Sequence, residues 1–146
     1  MNIRELRKDD LPPLLELYGH LHDTDTPLPA KENVEALWQQ IRHADHLKYF
    51  GGFVDGQLVS SCTIAIIPNL TRSCRPYAVI ENVVTHKQFR RRGYGQAALK
   101  AALDFAWSND CYKVMLMTGR LDEGTFRFYE SAGFSRHDKQ AFVVKR

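Results

Sequence analysis

Thr85-His86-Lys87-Gln88-Phe89-Arg90-Arg91-Arg92-Gly93-Tyr94-Gly95-Gln96-Ala97 joins an apolar strand, Tyr77 to Thr85, to an apolar-faced helix from about Gly95 to Trp107. Inside it lies an Arg-x-x-Gly-x-Gly turn. Gly93 and Gly95 carry no Cβ, so both admit positive φ and let a ligand approach the backbone closely. The peptide N–H groups of Arg91 to Gln96 then converge at a helix N-terminus, where the macrodipole also favours an anion. Arg90, Arg91 and Arg92 oppose that dipole unless an anion sits among them. The turn reads as a phosphate site.

Two familiar phosphate loops fit it poorly. The nucleoside-triphosphate loop needs Lys-Ser or Lys-Thr after its glycines, and neither follows here. The dinucleotide fingerprint tolerates Ala98 as its third small residue, but it also needs an acidic residue some ~20 positions on, at a strand end. The next strand, Tyr112 to Thr118, holds no carboxylate, and the first one beyond it is Asp122. Both readings are demoted without being excluded.

Working outward, Asn2 to Arg7 reads as a short strand, followed by a helix capped by Asp9 or Asp10, with Pro12 in its first turn. His22 to Ala30 is a polar loop, and Lys31 to about Ala44 a second helix with Val34, Leu37, Trp38 and Ile41 at helical spacing. Leu47 to Val54 and Gln57 to Ile66 flank Asp55-Gly56, a hairpin signal. After the phosphate turn, Leu99, Leu103 and Ala106 share one helix face. Tyr112 to Met117 is a continuous apolar run, as in a strand covered on both sides. Asp122 to about Ala132 is a helix closed by Gly133, and Phe134 to Asp138 and Gln140 to Lys145 are expected to be closing strands. This order predicts an α/β fold with a mixed sheet and one domain, residues 1–146.

A chain of 146 residues, 44% hydrophobic and 25% charged, has the composition of a soluble globular protein. Early charges (Arg4, Glu5, Arg7, Lys8, Asp9, Asp10) argue against a signal peptide, and no apolar run is long enough to span a bilayer. Cys62, Cys74 and Cys111 have no Cys-x-x-Cys spacing, which argues for free thiols in a reducing cytoplasm. The net charge of +3 comes largely from the phosphate turn, without the broad basic, aromatic-laced face of a nucleic-acid binder. His20-x-His22 and His43-x-x-His46 make no metal site without further ligands.

The Arg-x-x-Gly-x-Gly turn between strand and helix resembles the acetyl-CoA pyrophosphate loop of the GNAT superfamily of N-acetyltransferases. Ile80-Glu81-Asn82-Val83-Val84 resembles the family's fourth strand, Cys111-Tyr112-Lys113-Val114-Met115-Leu116 its fifth, and Phe128-Tyr129-Glu130-Ser131-Ala132-Gly133-Phe134 its closing Phe-Tyr-x-x-x-Gly-Phe segment. The resemblance implies a mixed, mostly antiparallel sheet flanked by helices, with the fourth and fifth strands splayed at a bulge. Within the family, these strands look most like those of glucosamine-6-phosphate N-acetyltransferase. That branch carries an Asp where Met117 stands, which argues for a different acceptor.

Carried over residue by residue, the resemblance implies an acetyl-CoA-dependent N-acetyltransferase acting on a primary amine, without a metal. Val83 and Val84 would pair with the pantetheine arm through their backbone. Arg90, Arg91, Arg92, Gly93, Tyr94, Gly95 and Gln96 would hold the pyrophosphate. Asp122 and Thr125 stand near where many members place an Asn on the CoA arm, although Asp122 also reads as a helix cap. Tyr129 is the candidate general acid for the leaving thiolate, its phenol pKa of ~10 suiting that proton transfer; the alternative is an aromatic cluster with Phe126, Phe128 and Phe134. Glu81, a carboxylate in a strand that reads as buried, is the candidate base, since burial would raise its pKa towards neutrality; the alternatives are a solvated face or a pair with Arg75 or Lys113. His22, Asp23 and Asp25 are candidates for attracting a cationic acceptor. A homodimer through the closing strands is the family's expectation, and a CoA-binding sensor without turnover or an acetyltransferase of protein amino groups are alternative readings.

Overall fold

The computed structural model describes residues 1–146. The elements run β1 (Asn2–Glu5), a 3-10 turn (Lys8–Asp10), α1 (Leu11–Tyr18), α2 (Lys31–His43), β2 (Leu47–Val54), β3 (Gln57–Ile67), α3 (Thr71–Cys74), β4 (Tyr77–Thr85), a second 3-10 turn (Lys87–Phe89), α4 (Tyr94–Ser108), β5 (Val114–Leu116) and α5 (Glu123–Ser131). The sheet order is β1-β2-β3-β4-β5. Its first three pairings are antiparallel, and β4 with β5 is parallel. The sheet is mixed and mostly antiparallel, as the order of elements predicts. At the β2–β3 hairpin, Asp55 and Gly56 both take left-handed φ (49° and 82°), the pair that a tight two-residue turn with native strand twist requires.

Two apolar layers cover the sheet. On one face Cys62, Ile64, Ala78 and Ile80 meet Ala98, Leu99, Ala102 and Ala106 of α4. The three alanines let α4 lie close to the strands, and they and Leu99 are fully buried. On the other face Leu14 and Leu17 of α1 and Trp38 of α2 pack with Leu6, Phe53, Leu58 and Val84. α3 is a single turn wound the left-handed way, with φ of 53°, 58° and 59° at Arg72, Ser73 and Cys74.

The feature that makes room for a site is an extra residue in β4. Ser61 pairs with Val84 and Thr63 with Glu81, so Asn82 and Val83 together face Cys62. Asn82 takes φ 51° to absorb the bulge. On the other side of β4, pairing with β5 stops at Ile80 and Leu116. Beyond that point the two strands part, as the family resemblance implies.

Several expectations need correcting. The segments Phe134 to Asp138 and Gln140 to Lys145 form no strand. Their β-propensity has no partner, because within this chain nothing lies along the outer edge of β5. β5 itself is three half-buried residues, not a run covered on both sides from Tyr112 to Met117, and Met117 is 51% exposed. Asp10 does not cap α1 with its side chain. Its carboxylate turns back to accept from Nη1 and Nη2 of Arg4 at 2.6 and 3.0 Å and from the Arg7 N–H at 2.5 Å. Arg4 in turn stacks on Phe53, its guanidinium 4.0 Å from the ring centroid.

The Arg4 hydrogen bonds hold the Asp10 carboxyl below its ordinary value, against the opposing effect of burial and with help from the Arg7 N–H. A carboxyl lowered in the folded state stabilises the fold above its unfolded value of 3.8, and that stabilisation is lost as pH falls through the lower folded value. Asp10→Asn is expected to cost about 2 kcal/mol in a urea titration at pH 7, the scale of lost charge-assisted hydrogen bonds. The difference from wild type should shrink as pH falls below 3.8 and on through the lower folded value, where the wild-type carboxyl also becomes protonated.

Candidate active site

Where β4 and β5 part, a cleft of about 1150 Å³ opens. Its floor is β4 from Ile80 to Thr85, and its first wall is the turn leading into α4. The opposite wall is Leu116 to Arg120 with the start of α5, and His20, Leu21 and His22 also line the cleft.

The first wall presents hydrogen-bond donors without partners. The first backbone bond of α4 runs from the Ala97 N–H to the Gly93 carbonyl at 3.0 Å, which leaves the N–H groups of Gly93, Tyr94, Gly95 and Gln96 without helical partners. No side chain caps them. Arg91 (φ 61°) and Gly93 (φ 83°) both lie in the left-handed region, and such turns point successive N–H groups into a concavity. The sequence points to Gly93 and Gly95 for the positive φ, and the structure has it at Arg91 and Gly93. Gly95 is helical and serves packing: a Cβ there would stand 3.0 Å from Thr85 Oγ1 and 3.1 Å from the Phe128 ring. Ser60 Oγ donates to the Tyr94 carbonyl at 3.1 Å, and Gln96 Nε2 donates to the Phe128 carbonyl at 3.1 Å and to Ser131 Oγ. The start of α4 is therefore tied to both the sheet and α5.

The three arginines part company. Arg91 lines the cleft. Arg92 does not, and its guanidinium lies 5.8 Å from the Phe89 ring centroid. Arg90 lines the cleft, but its Nε donates to the Thr85 carbonyl and its Nη2 to the His20 carbonyl, both at 3.1 Å.

Tyr129 reaches the cleft from α5, half-buried. Its ring meets Phe128 and Phe134 edge-on at 5.0 and 6.3 Å, so the aromatic cluster and the cleft position coexist. Phe126 lies elsewhere, under the Arg136 guanidinium. Burial pushes the Tyr129 phenol above its ordinary value; Arg120 pulls it down, and Glu81 adds to the rise. Glu81 lines the same cleft but is exposed, contrary to the buried position expected of it. It forms no pair with Arg75, which bridges to Asp110 at 3.2 Å, nor with Lys113, which lies over Tyr77 and Tyr112. At the bulge the strand alternation that suggested burial breaks down. Val83 and Val84 line the floor, and the Val84 side chain also fills the core behind it. Thr63 Oγ1 secures the bulge by donating to the Glu81 carbonyl at 2.8 Å.

Asp122 is the N-cap of α5, accepting from the N–H and hydroxyl of Thr125 at 2.8 and 2.9 Å; both residues line the cleft. These bonds lower the Asp122 pKa and keep it anionic. Of the loop candidates, His22 lines the cleft while Asp23 and Asp25 do not. Asp25 accepts from the neighbouring Thr26 N–H. Sequence reasoning missed Arg120 and Arg127, two cationic side chains on the far wall. No motif surrounds them: Arg120 stands in the loop after β5 and Arg127 on α5. It also missed His20, whose ring lies 4.0 Å from that of His86. Burial, then the nearby His86, Lys87 and Arg90, lower the pKa of His20. Burial pushes the Cys62 thiol up to about 12, which leaves it no role as a nucleophile.

Residues 5–134 match the model of the Acetyltransferase (GNAT) family, and the chain belongs to that family. It is an acetyltransferase with the α/β fold of that family. The glucosamine 6-phosphate N-acetyltransferase of Trypanosoma brucei brucei is 33% identical to it over 140 residues, covering 96% of this chain and 92% of that protein. A candidate acetyltransferase from Agrobacterium tumefaciens str. C58 superposes with a TM-score of 0.93 at 41% identity, over 100% of both chains. The glucosamine-6-phosphate N-acetyltransferase of Arabidopsis thaliana superposes with a TM-score of 0.85 at 26% identity, covering 98% of this chain and 97% of that one.

The two glycines of the turn are expected to fail differently. Gly93→Ala meets open space and should cost about 1 kcal/mol from the left-handed backbone alone. Gly95→Val drives a branched side chain into Thr85 and Phe128 and should cost about 1–3 kcal/mol. Chemical denaturation of the two variants measures both.

Proposed function

We propose that this acetyltransferase moves the acetyl group of acetyl-CoA to a primary amine of a small molecule within a ternary complex. The observation that carries the reading is the set of four uncapped N–H groups at the start of α4, which open onto the same cleft as the β4 bulge and Tyr129. The uncapped donors and Arg91 suit the pyrophosphate, and the floor between the parted strands suits the pantetheine arm. The bulge at Asn82–Val83 turns backbone out of the ladder, where an N–H can hold the thioester carbonyl as charge develops on its oxygen. Attack by the amine forms the C–N bond, and the C–S bond breaks. Tyr129, kept protonated by its raised pKa, donates a proton to the leaving sulfur. Glu81, exposed to the cleft, takes the amine's proton through water.

Met117 presents a thioether and no carboxylate to the cleft wall. A panel of acceptors therefore starts with glucosamine 6-phosphate, for the two relatives named after it, and extends to other small primary amines. No helix is long and apolar enough to cross a membrane, and Cys62, Cys74 and Cys111 are free thiols, which suits the cytoplasm. We read the protein as a homodimer. Phe142, Val143 and Val144 are 90%, 71% and 96% exposed, and a second copy supplies the free β5 edge on which such a segment pairs.

Calorimetric titration is expected to show acetyl-CoA binding at micromolar Kd with no binding of ATP or NAD; absence of acetyl-CoA binding to folded protein removes the proposal. Tyr129→Phe is expected to lower turnover by about 100-fold or more while leaving acetyl-CoA affinity intact, and an unchanged rate removes Tyr129 from the acid role. Light scattering on the chain ending at residue 139 should give a monomer where residues 1–146 give a dimer.

A further inference from the structure

Arg90 opens the Arg-x-x-Gly-x-Gly motif, yet two of its guanidinium nitrogens, Nε and Nη2, donate to carbonyl oxygens of the chain itself. One carbonyl, Thr85, ends β4; the other, His20, belongs to the turn that follows α1. From His22 to Ala30 every residue is exposed, and none belongs to a helix or strand. The bond from Arg90 to His20 is the only side-chain hydrogen bond that ties residues 19–30 to any other part of the chain. Beside it runs a line of rings. His20 lies on His86 (4.0 Å), His86 meets Phe89 edge-on (5.4 Å), and Phe89 meets Tyr94 (6.0 Å), the first residue of α4. His86 is itself fixed, because its Nδ1 accepts from the Gln88 N–H at 3.2 Å. A guanidinium suits this place, since its planar fork presents Nε and Nη2 to two acceptors at once; an ammonium on one carbon stem has no such fork.

We propose that Arg90 is a positioning residue for the cleft wall formed by His20, Leu21 and His22, on which His22 is the candidate contact for a cationic acceptor, and not a ligand of the phosphates. The inference rests on the acetyl-CoA reading for what the cleft holds, and on the Arg90 contacts alone for the strut. Arg90 fastens the His20–His22 wall to the phosphate turn, and the His20–His86–Phe89–Tyr94 line packs the joint. The uncapped N–H groups and Arg91 remain to meet the anion.

The test combines amide hydrogen exchange and acetyl-CoA titration on wild type, Arg90→Ala and Arg90→Lys. The N–H groups of His20, Leu21 and His22 are bonded to the Leu17 and Tyr18 carbonyls and so report on this wall. In both variants they are expected to exchange about tenfold faster than in wild type, with the amides of α4 unchanged. Acetyl-CoA affinity should stay within about twofold, and low-millimolar methylguanidinium should restore protection in Arg90→Ala but not in Arg90→Lys. Unchanged exchange at His20–His22 overturns the strut, and so does exchange accelerated throughout the protein. A tenfold or greater loss of acetyl-CoA affinity makes Arg90 a phosphate ligand and overturns the proposal whatever the exchange shows. If wild-type protein binds no acetyl-CoA, the proposed function fails, while exchange still decides whether Arg90 holds this wall.

Discussion

The parting of β4 from β5 is the constraint on which the rest of the molecule depends. Parallel pairing ends after Ile80 and Leu116, and on its other edge β4 carries an extra residue against β3. A strand cannot lose its partner inside a folded domain without exposing polar backbone, so something must occupy the gap or water must fill it. The bulge at Asn82 and the Thr63 hydroxyl on the Glu81 carbonyl take up the disruption on the β3 side. On the β5 side the backbone faces the cleft. The left-handed Asn82 is a local strain held by fully buried neighbours, among them Cys62, Ile64 and Ile80.

The turn that leads into α4 is held from outside by the same logic. Its glycines and uncapped donors have little stability of their own. Ser60 from β3, Phe128 and Ser131 from α5 and the close approach of Gly95 to Thr85 fix where α4 begins. The first turn of α4 is thereby tied to the sheet and to α5. Donors that are already aimed need no reorganisation when charge arrives.

Much of the architecture could be read from the sequence because it follows from local chemistry. Asp55-Gly56 fixes a hairpin, the Gly93–Gly95 turn marks a strand-to-helix junction, and Asp122 with Thr125 caps a helix; each depends on residues within four positions of one another. What could not be read depends on distant partners. Glu81 looks buried in a string of apolar neighbours, because the bulge that turns its surroundings to solvent leaves no mark on composition. Arg90 looks like a phosphate ligand until a carbonyl from 70 positions away is brought beside it. Asp10 reads as a cap, since only the fold sets Arg4 opposite. Phe142, Val143 and Val144 have the propensity of a strand, yet propensity yields no strand without an edge to pair on. Arg120 and Arg127 line the cleft from the loop after β5 and from α5, and no local motif marks either of them.

The uncapped start of α4 also links folding to supply. Four aimed donors and a positive turn leave the empty protein with unfavourable polar and electrostatic terms that a bound anion relieves. Any ligand that fills the turn binds the folded state and not the unfolded one, raising stability by about 2.7 kcal/mol at a hundred times its dissociation constant. The folded fraction, and with it the resistance of the chain to proteolysis, therefore rises and falls with the concentration of that ligand. Occupancy of the turn and stability of the fold are thus two readings of one equilibrium.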